Sequence, residues 1–195
     1  MDRYDSWSDH YCYPGTNVLV NRYGIKDLDL LEEAERSVTT LTAQNLILSR
    51  PPFSLTTLCQ IHHTLFSELY SWAGSIRDIA ISKGRTRFCQ PQFIVREAGK
   101  LFLLMEKEHW LQQYEHLSFC QRLAWYYCEL NVLHPFREGN GRSLRVLFEQ
   151  IAIHAGYQIS WAGITPEDWI TANILGYESG PEHMCSLLLK HTLPL

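Results

Sequence analysis

The residues best suited to chemistry lie in one short stretch, HPFREGNGRSLR, which runs from His134 to Arg145. His134 can take up a proton near neutral pH, as a general base must. Arg142 and Arg145 lie three positions apart, so on a helix both project from the same face. Guanidinium groups bind phosphate oxygens through paired hydrogen bonds. The stretch therefore combines a proton acceptor with two groups that bind phosphate.

The glycines of this stretch also favour a phosphate site. Gly139 and Gly141 allow a positive φ and a close approach of the backbone to a ligand. A helix that begins near Asn140 presents unpaired N–H groups and the positive end of its dipole, which together form an anion site. Glu138 would oppose phosphate here unless a hard cation such as Mg²⁺ lay between them. Each feature alone is more typical of a capped helix end, but their combination within twelve positions favours function.

Helical periodicity accounts for most of the chain around this stretch. Pro51-Pro52 ends the first predicted helix, Ser54 caps the second, and Ser118 forms a predicted capping box with Gln121. The predicted helices begin at Asp27, Ser54, Pro91, Ser118, Asn140, Thr165 and Glu182, and those with a predicted end stop near Leu48, Trp110, Leu133, Ile153, Leu175 and Lys190. Residues 1–26 are predicted to be irregular.

A different pattern interrupts the helices between positions 76 and 89. Ile79 and Ile81 alternate with smaller or polar residues, Lys83-Gly84 is typical of a turn, and Phe88 follows. This pattern predicts a short β-hairpin. The fold class is therefore all-α, a helical bundle with one short hairpin.

Composition limits the remaining possibilities. The chain has 195 residues, 46% of them hydrophobic, which fits one globular domain. A net charge of −4 argues against a general nucleic-acid binder, and no apolar run approaches the length of a membrane span. Six cysteines without a CxxC pair indicate free thiols in a reducing compartment and argue against a zinc site. We expect a cytoplasmic protein.

The stretch HPFREGNGRSLR resembles the full motif of the Fic family, HPFx(D/E)GNGRxxR, with every defining position matched. The segment SWAGSIRDIAISKGRTRFCQPQFI is similar to the flap of that family, and HAGYQISW resembles the segment after its motif helix. The likeness begins at about Tyr13 and is strongest to short, single-domain bacterial Fic toxins. It implies one Fic domain over residues 1–195, with a flap at 76–89 and a catalytic loop and helix start at 134–145.

The resemblance implies transfer of AMP from ATP to a hydroxyl group of another protein. His134 would be the general base, Glu138 would hold Mg²⁺, and Arg145 would bind the γ-phosphate of ATP. The full set of implied nucleotide-binding residues is Lys83, Gly84, Arg137, Gly139, Asn140, Gly141, Arg142, Arg145, Tyr157 and Asn173. Tyr157 and Asn173 are candidates for the adenine pocket, although each is also typical of a core or capping residue.

The hairpin has two interpretations. In the first, it is a surface hairpin with a basic tip. In the second, which the resemblance favours, Ile81, Lys83 and Phe88 belong to a flap that holds the target protein by strand addition.

Two other functions fit the same fold. One is phosphorylation or transfer of another phosphate-containing group, but phosphorylating relatives are expected to carry lysine near Gly141, and this chain does not. The other is a catalytically silent binding module, which we would expect to have lost His134, Glu138 or Arg145. AMP transfer is therefore preferred.

The resemblance also implies a regulatory partner. Full-motif relatives are commonly inhibited by a helix with the pattern (S/T)xxxE(G/N), whose glutamate pairs with the second motif arginine, here Arg145. In this chain only Thr64 and Glu68 have that spacing, and Leu69 follows where Gly or Asn is required. We therefore expect a separate small antitoxin. By family analogy the protein targets are the ATPase subunits of DNA gyrase and topoisomerase IV, without direct binding of nucleic acid or membrane.

Overall fold

A computed structural model describes residues 9–195 and shows a mostly helical fold. Within those residues seven α-helices follow one another: α1 Leu28–Thr42, α2 Leu55–Phe66, α3 Pro91–Lys107, α4 His116–Leu133, α5 Asn140–Ala155, α6 Pro166–Glu178 and α7 Glu182–His191. The strands β1 Ser82–Lys83 and β2 Thr86–Arg87 form the predicted hairpin, which is antiparallel. The all-α class with a short hairpin is thus confirmed.

A second small sheet was not predicted. Strand β3, Tyr157–Ile159, pairs antiparallel with β4, Thr192–Pro194, at the end of the chain. The two strands have three residues each and are separated by α6 and α7, so no local alternation or turn signal indicates their pairing. The part of the predicted irregular segment that covers positions 1–8 lies outside the described residues.

Several predicted helix boundaries are wrong: α3 ends at Lys107 and not at Trp110, and α6 continues past Leu175 to Glu178. The first helix ends at Thr42, followed by a 3₁₀ turn, and does not reach Leu48. The side chain of Gln150 in α5 binds the backbone of Ile47 and Ser49, so this segment is held against α5 as extended chain. By contrast, Ser54 caps α2 as predicted, through a reciprocal bond with Thr57.

The predicted capping box of the fourth helix is also wrong. Helix α4 begins at His116, two residues before Ser118, and its N-cap is Glu115, which makes no capping bond through its side chain. Ser118 and Gln121 therefore lie inside the helix. The spacing of these two residues matches a capping box, but the helix begins before them, and its first buried residue is Phe119.

Helices α4 and α5 form the centre of the molecule and position the candidate site. Buried residues of α4 include Phe119, Leu123 and Leu130, and those of α5 include Leu144 and Ile151. The loop that joins the two helices, residues 134–139, is consequently surrounded by core. No helix among residues 9–195 has both the length and the apolar character that crossing a lipid bilayer requires.

Candidate active site

His134 is placed where α4 ends and the loop begins. Its backbone is left-handed, with φ of 44°, which is strained for a residue with a Cβ atom and is typical of functional sites. Its ring stacks on Phe88 of the hairpin with 3.8 Å between centroids. Its Nδ1 lies 2.8 Å from the carbonyl oxygen of Asn131, which can only accept, so Nδ1 carries the proton. In the neutral ring the basic lone pair is therefore on Nε2.

Arg77 joins the flap region to this loop, and sequence analysis did not identify it. The side chain is buried and donates to the carbonyl oxygens of His134 at 2.7 Å and Leu133 at 3.2 Å. It also donates to the carbonyl oxygens of Ile79 and Cys89, both at 2.6 Å, on either side of the hairpin. A buried arginine that satisfies four carbonyl groups fixes the base of the hairpin against the catalytic loop. In the sequence, only the position of Arg77 between the SWAG segment and the predicted hairpin could have indicated its role.

The loop itself is fixed from inside. The amide of Asn140 accepts from the N–H and donates to the C=O of Phe136, both at 2.8 Å. Phe136 stacks on buried His62 with 3.8 Å between ring centroids. Nδ1 of His62 accepts from Gly74 N–H, so its Nε2–H donates to the carbonyl oxygen of Glu138 at 2.9 Å. Burial lowers the pKa of His62 to about 3, so the ring is neutral.

The two motif glycines have different environments. Gly139 has φ of +79°, and a Cβ atom there would clash with the ring of Phe66. Its N–H donates to the side-chain oxygen Oε1 of Glu138 at 2.9 Å. Gly141 faces open space, with nothing within 4 Å of a Cβ atom. Gly139 is therefore required by packing and conformation, whereas Gly141 leaves room beside the helix start.

The two motif arginines differ as well. Arg142 pairs with Glu35, a buried residue of α1 that sequence analysis missed, and lies 3.7 Å from Oε1 of Glu138. Burial opposes the charge of Arg142, but the charge and hydrogen bond of Glu35 outweigh it and raise the pKa of the guanidinium. Arg145 is half-buried and makes no ion pair with any residue in the range 9–195. Of the two, Arg145 is the one whose charge is not already balanced within the described chain.

A cavity of about 530 Å³ lies between the hairpin, the end of α4 and α6, in the size range of small-molecule sites. The predicted site residues that line it are Lys83, Gly84, Phe88, His134, Gly141 and Asn173. Asn173 accepts a hydrogen bond from the side chain of Asn131 at 2.9 Å. Trp169 and Tyr177 also line the cavity and were not predicted. The structure thus brings the base, the hairpin and α6 together around one space.

Other predicted site residues do not line this cavity. Arg137 is buried and pairs with Asp9 at 2.6 Å, which ties the N-terminal segment to the loop. Tyr157 donates from its hydroxyl to the carbonyl oxygen of Tyr114 at 2.7 Å and packs in the core. Ile81 is buried beneath the hairpin against Phe88. The remaining predicted residues, Glu138, Gly139, Asn140, Arg142 and Arg145, lie in the loop or at the start of α5, beside the cavity wall formed by Gly141.

Comparisons with known proteins identify the family of the chain. The profile of the Fic/DOC family matches residues 52–152. A relative from Salmonella typhimurium named "Probable protein adenylyltransferase Fic" is 43% identical over 90% of this chain and 88% of its own length. The "Protein adenylyltransferase VbhT" of Bartonella schoenbuchensis is 34% identical over 98% of this chain, which spans 40% of that longer protein.

Solved structures show the same fold. The BepC protein of Bartonella tribocorum, solved with bound AMPPNP, superposes with a TM-score of 0.86 at 28% identity, covering 95% of this chain and 97% of that one. A Fic domain from Bartonella quintana with bound ADP gives 0.87 at 31% identity, covering 94% of each chain. The chain belongs to the Fic/DOC family. Because its relatives over this length are nucleotidyltransferases by name, it is an enzyme of that class.

Proposed function

We propose that this protein transfers AMP from ATP to a hydroxyl side chain of another protein. The observation that carries the proposal is His134, which lines the cavity with its Nδ1 proton committed to Asn131 and its basic lone pair therefore on Nε2. The names of the relatives and the AMPPNP and ADP bound to two similar structures support the choice of an adenine nucleotide as substrate.

The proposed reaction needs one proton transfer and one displacement. Nε2 of His134 takes the proton of the target hydroxyl, whose oxygen forms a bond to the α-phosphorus of ATP. The bond from that phosphorus to the oxygen bridging the α- and β-phosphates breaks, and diphosphate leaves with the bonding electron pair. Arg145 and the N–H groups at the start of α5 balance the phosphate charge. The fixed ring and loop supply orientation, which is a large part of the catalysis of such transfers.

The residues of the site fit Mg²⁺. Residues 9–195 contain no cluster of three or more His, Cys, Asp or Glu side chains that would hold a metal by themselves. Glu138 contributes one buried carboxylate at the loop. Mg²⁺ is commonly bound by one or two carboxylates together with substrate phosphates, and this donor set matches that arrangement. Bound there, the ion would neutralise phosphate charge, with Glu138 as its protein ligand.

The target protein and the regulatory partner that the sequence predicts are also part of our proposal. Ile81, Lys83 and Phe88 belong to the hairpin, whose position over His134 suits a segment that presents the target hydroxyl. Arg145 has no acidic partner within residues 9–195, so it suits the glutamate of a separate antitoxin. We propose a cytoplasmic toxin with such a partner, and by family analogy the ATPase subunits of DNA gyrase and topoisomerase IV as targets.

The test is transfer of label from ATP to protein in a bacterial lysate, with the label on either the α- or the γ-phosphate. Protein labelled from the α position supports AMP transfer, whereas label from the γ position shows phosphorylation. Absence of both labels, with nucleotide still bound, shows a silent binding module. Chelation of Mg²⁺ should stop the transfer, and co-expression of the small open reading frame beside the gene should suppress both labelling and toxicity. Toxicity unaffected by that co-expression contradicts the antitoxin.

A further inference from the structure

The proposed reaction leaves one buried acid of the site without a role. Glu35 lies in α1, far in sequence from the motif, and only 2% of its surface is exposed. One carboxylate oxygen accepts from the Tyr70 hydroxyl at 2.6 Å, and the other pairs with Arg142. Buried carboxylates are costly unless they are paired and hydrogen-bonded, so this arrangement is a specific one.

Arg142 is held by several groups at once. Besides Glu35, its guanidinium donates to the Thr39 hydroxyl at 3.4 Å and lies over the ring of Phe66, 4.7 Å from the centroid. The second carboxylate near it is Glu138, whose Oε1 is 3.7 Å away, beyond normal hydrogen-bonding distance. Two buried acids therefore compete for one guanidinium, and Glu35 has the shorter contact.

Loss of the charge of Glu35 should favour the contact between Arg142 and Glu138. If Glu35 were neutral, no opposing carboxylate charge would counter the attraction of Glu138 for Arg142, and a displacement of about 1 Å would bring the two into direct hydrogen bonding. A direct pair would occupy an oxygen of the carboxylate that we assign to Mg²⁺. Groups that orient a metal ligand from behind commonly change affinity by about 10- to 100-fold when altered.

We infer that Glu35 is a positioning residue, which keeps Arg142 from closing onto Glu138 and so preserves the geometry for Mg²⁺–ATP. This inference rests on the proposed function. Helix α1 would then contribute to the site through the contact of Glu35 with Arg142. Tyr70, which donates to Glu35, and Thr39, which accepts from Arg142, would help to hold that contact.

The experiment is a double-mutant cycle on the dissociation constant of Mg²⁺–ATP, measured by calorimetry on the full chain. Glu35→Gln should weaken binding about tenfold. In an Arg142→Ala background the same substitution should have no further effect, because the group through which it acts is gone. Glu33→Gln, an exposed acid on the same helix, is the matched control and should leave binding unchanged. An equal loss from Glu35→Gln in both backgrounds would overturn the inference.

A second variant and a crystal structure test the same inference independently of the double-mutant cycle. If Glu35→Gln does not fold, Tyr70→Phe removes the hydroxyl that donates to Glu35, and a smaller weakening that also vanishes without Arg142 is expected. A crystal structure of Glu35→Gln tests the geometry even if the protein transfers no AMP. Arg142 should then contact Glu138 directly, and an unchanged Arg142 would contradict the inference. Failure of the labelling experiment alone would instead refute the proposed function.

Discussion

The catalytic loop, residues 134–139, and the hairpin, residues 81–88, contribute to the same cavity but are held in different ways. In the loop His134, Phe136 and Glu138 are at most 6% exposed, and buried side chains satisfy its backbone. The hairpin has strands of two residues each, and its turn, which lies at Gly84-Arg85 and not at the predicted Lys83-Gly84, is exposed. The loop is thus part of the core, whereas the hairpin is attached to it mainly at its base.

This difference corresponds to two requirements of the proposed reaction. Transfer at phosphorus needs a base and charged groups fixed to within a fraction of an ångström, which a buried loop can provide. Recognition of a protein segment tolerates, and commonly uses, an exposed element that can adjust. If chemistry and stability are concentrated in the loop and target recognition in the hairpin, substitutions in the two regions should have different effects.

The largest effect is expected at the base. His134→Ala should lower the rate of AMP transfer by at least about 100-fold, because the target hydroxyl loses its proton acceptor. Binding of Mg²⁺–ATP should remain within about twofold, since the imidazole acts on the hydroxyl and not on the phosphates. Single-turnover transfer and calorimetry measure the two quantities. Near-normal turnover in this variant would remove His134 from the mechanism.

Substitutions at two glycines with positive φ, one in the loop and one in the hairpin, allow a direct comparison of the two segments. Gly139→Ala should destabilise the fold by about 3 kcal/mol or more, because the new Cβ atom adds a clash with Phe66 to the backbone strain. Gly84→Ala, at φ of +56° with nothing within 4 Å, should cost only about 1 kcal/mol. Urea denaturation of both variants gives the free energies of unfolding. Similar losses in the two would show that the hairpin is packed as tightly as the loop.

Acidification should weaken the loop through His62. Its pKa falls from 6.5 to about 3 on folding, mainly because burial disfavours the charged ring. The unfolded chain therefore binds the additional proton, and stability falls as the pH drops from about 6.5 towards 3, by up to about 1.4 kcal/mol per pH unit from this group. Unfolding measured at pH 7 and pH 5 tests this. His62→Gln should lower stability at pH 7 and flatten the dependence, and an equally steep dependence in this variant would assign it to other groups.

A substitution at Lys83 tests whether the hairpin contributes to recognition of the target protein. Lys83→Ala should reduce kcat/KM for the target protein by about tenfold, equivalent to about 1.4 kcal/mol, while Mg²⁺–ATP binding changes much less. Lys100→Ala, an exposed lysine on α3, is the control and should change neither. Equal losses of nucleotide and target binding in Lys83→Ala would make the hairpin a nucleotide element.

The same contrast explains what the sequence could predict. The loop was recognisable because a dozen contiguous residues carry its chemistry, and because the helices on both sides are rich in apolar residues that are buried. Arg77, His62 and Glu35 were missed because each acts through contacts 57 to 107 positions away, as with Arg77 to His134 and Glu35 to Arg142. Side chains that fix a loop from distant helices leave no spacing signal in the chain.

The smallest effect is expected where α6 meets the hairpin. The hydroxyl of Tyr177 lies 3.4 Å from the backbone nitrogen and 3.3 Å from the carbonyl oxygen of Arg87. Both distances are long for hydrogen bonds, so each contact is weak. Tyr177→Phe should therefore change the free energy of unfolding by less than about 0.5 kcal/mol.

The local effect of Tyr177→Phe should nevertheless be measurable. This hydroxyl contacts the backbone of Arg87 in β2, so it connects that strand to α6. Hydrogen exchange at the Arg87 amide should accelerate a few fold, because local opening no longer has to break that bond. Tyr157→Phe, whose hydroxyl donates to Tyr114 in the core, should leave that amide unchanged. If exchange at Arg87 is the same in both variants, the Tyr177 contact does not hold β2 to α6, and the hairpin is held where Arg77 and Phe88 connect it to the loop.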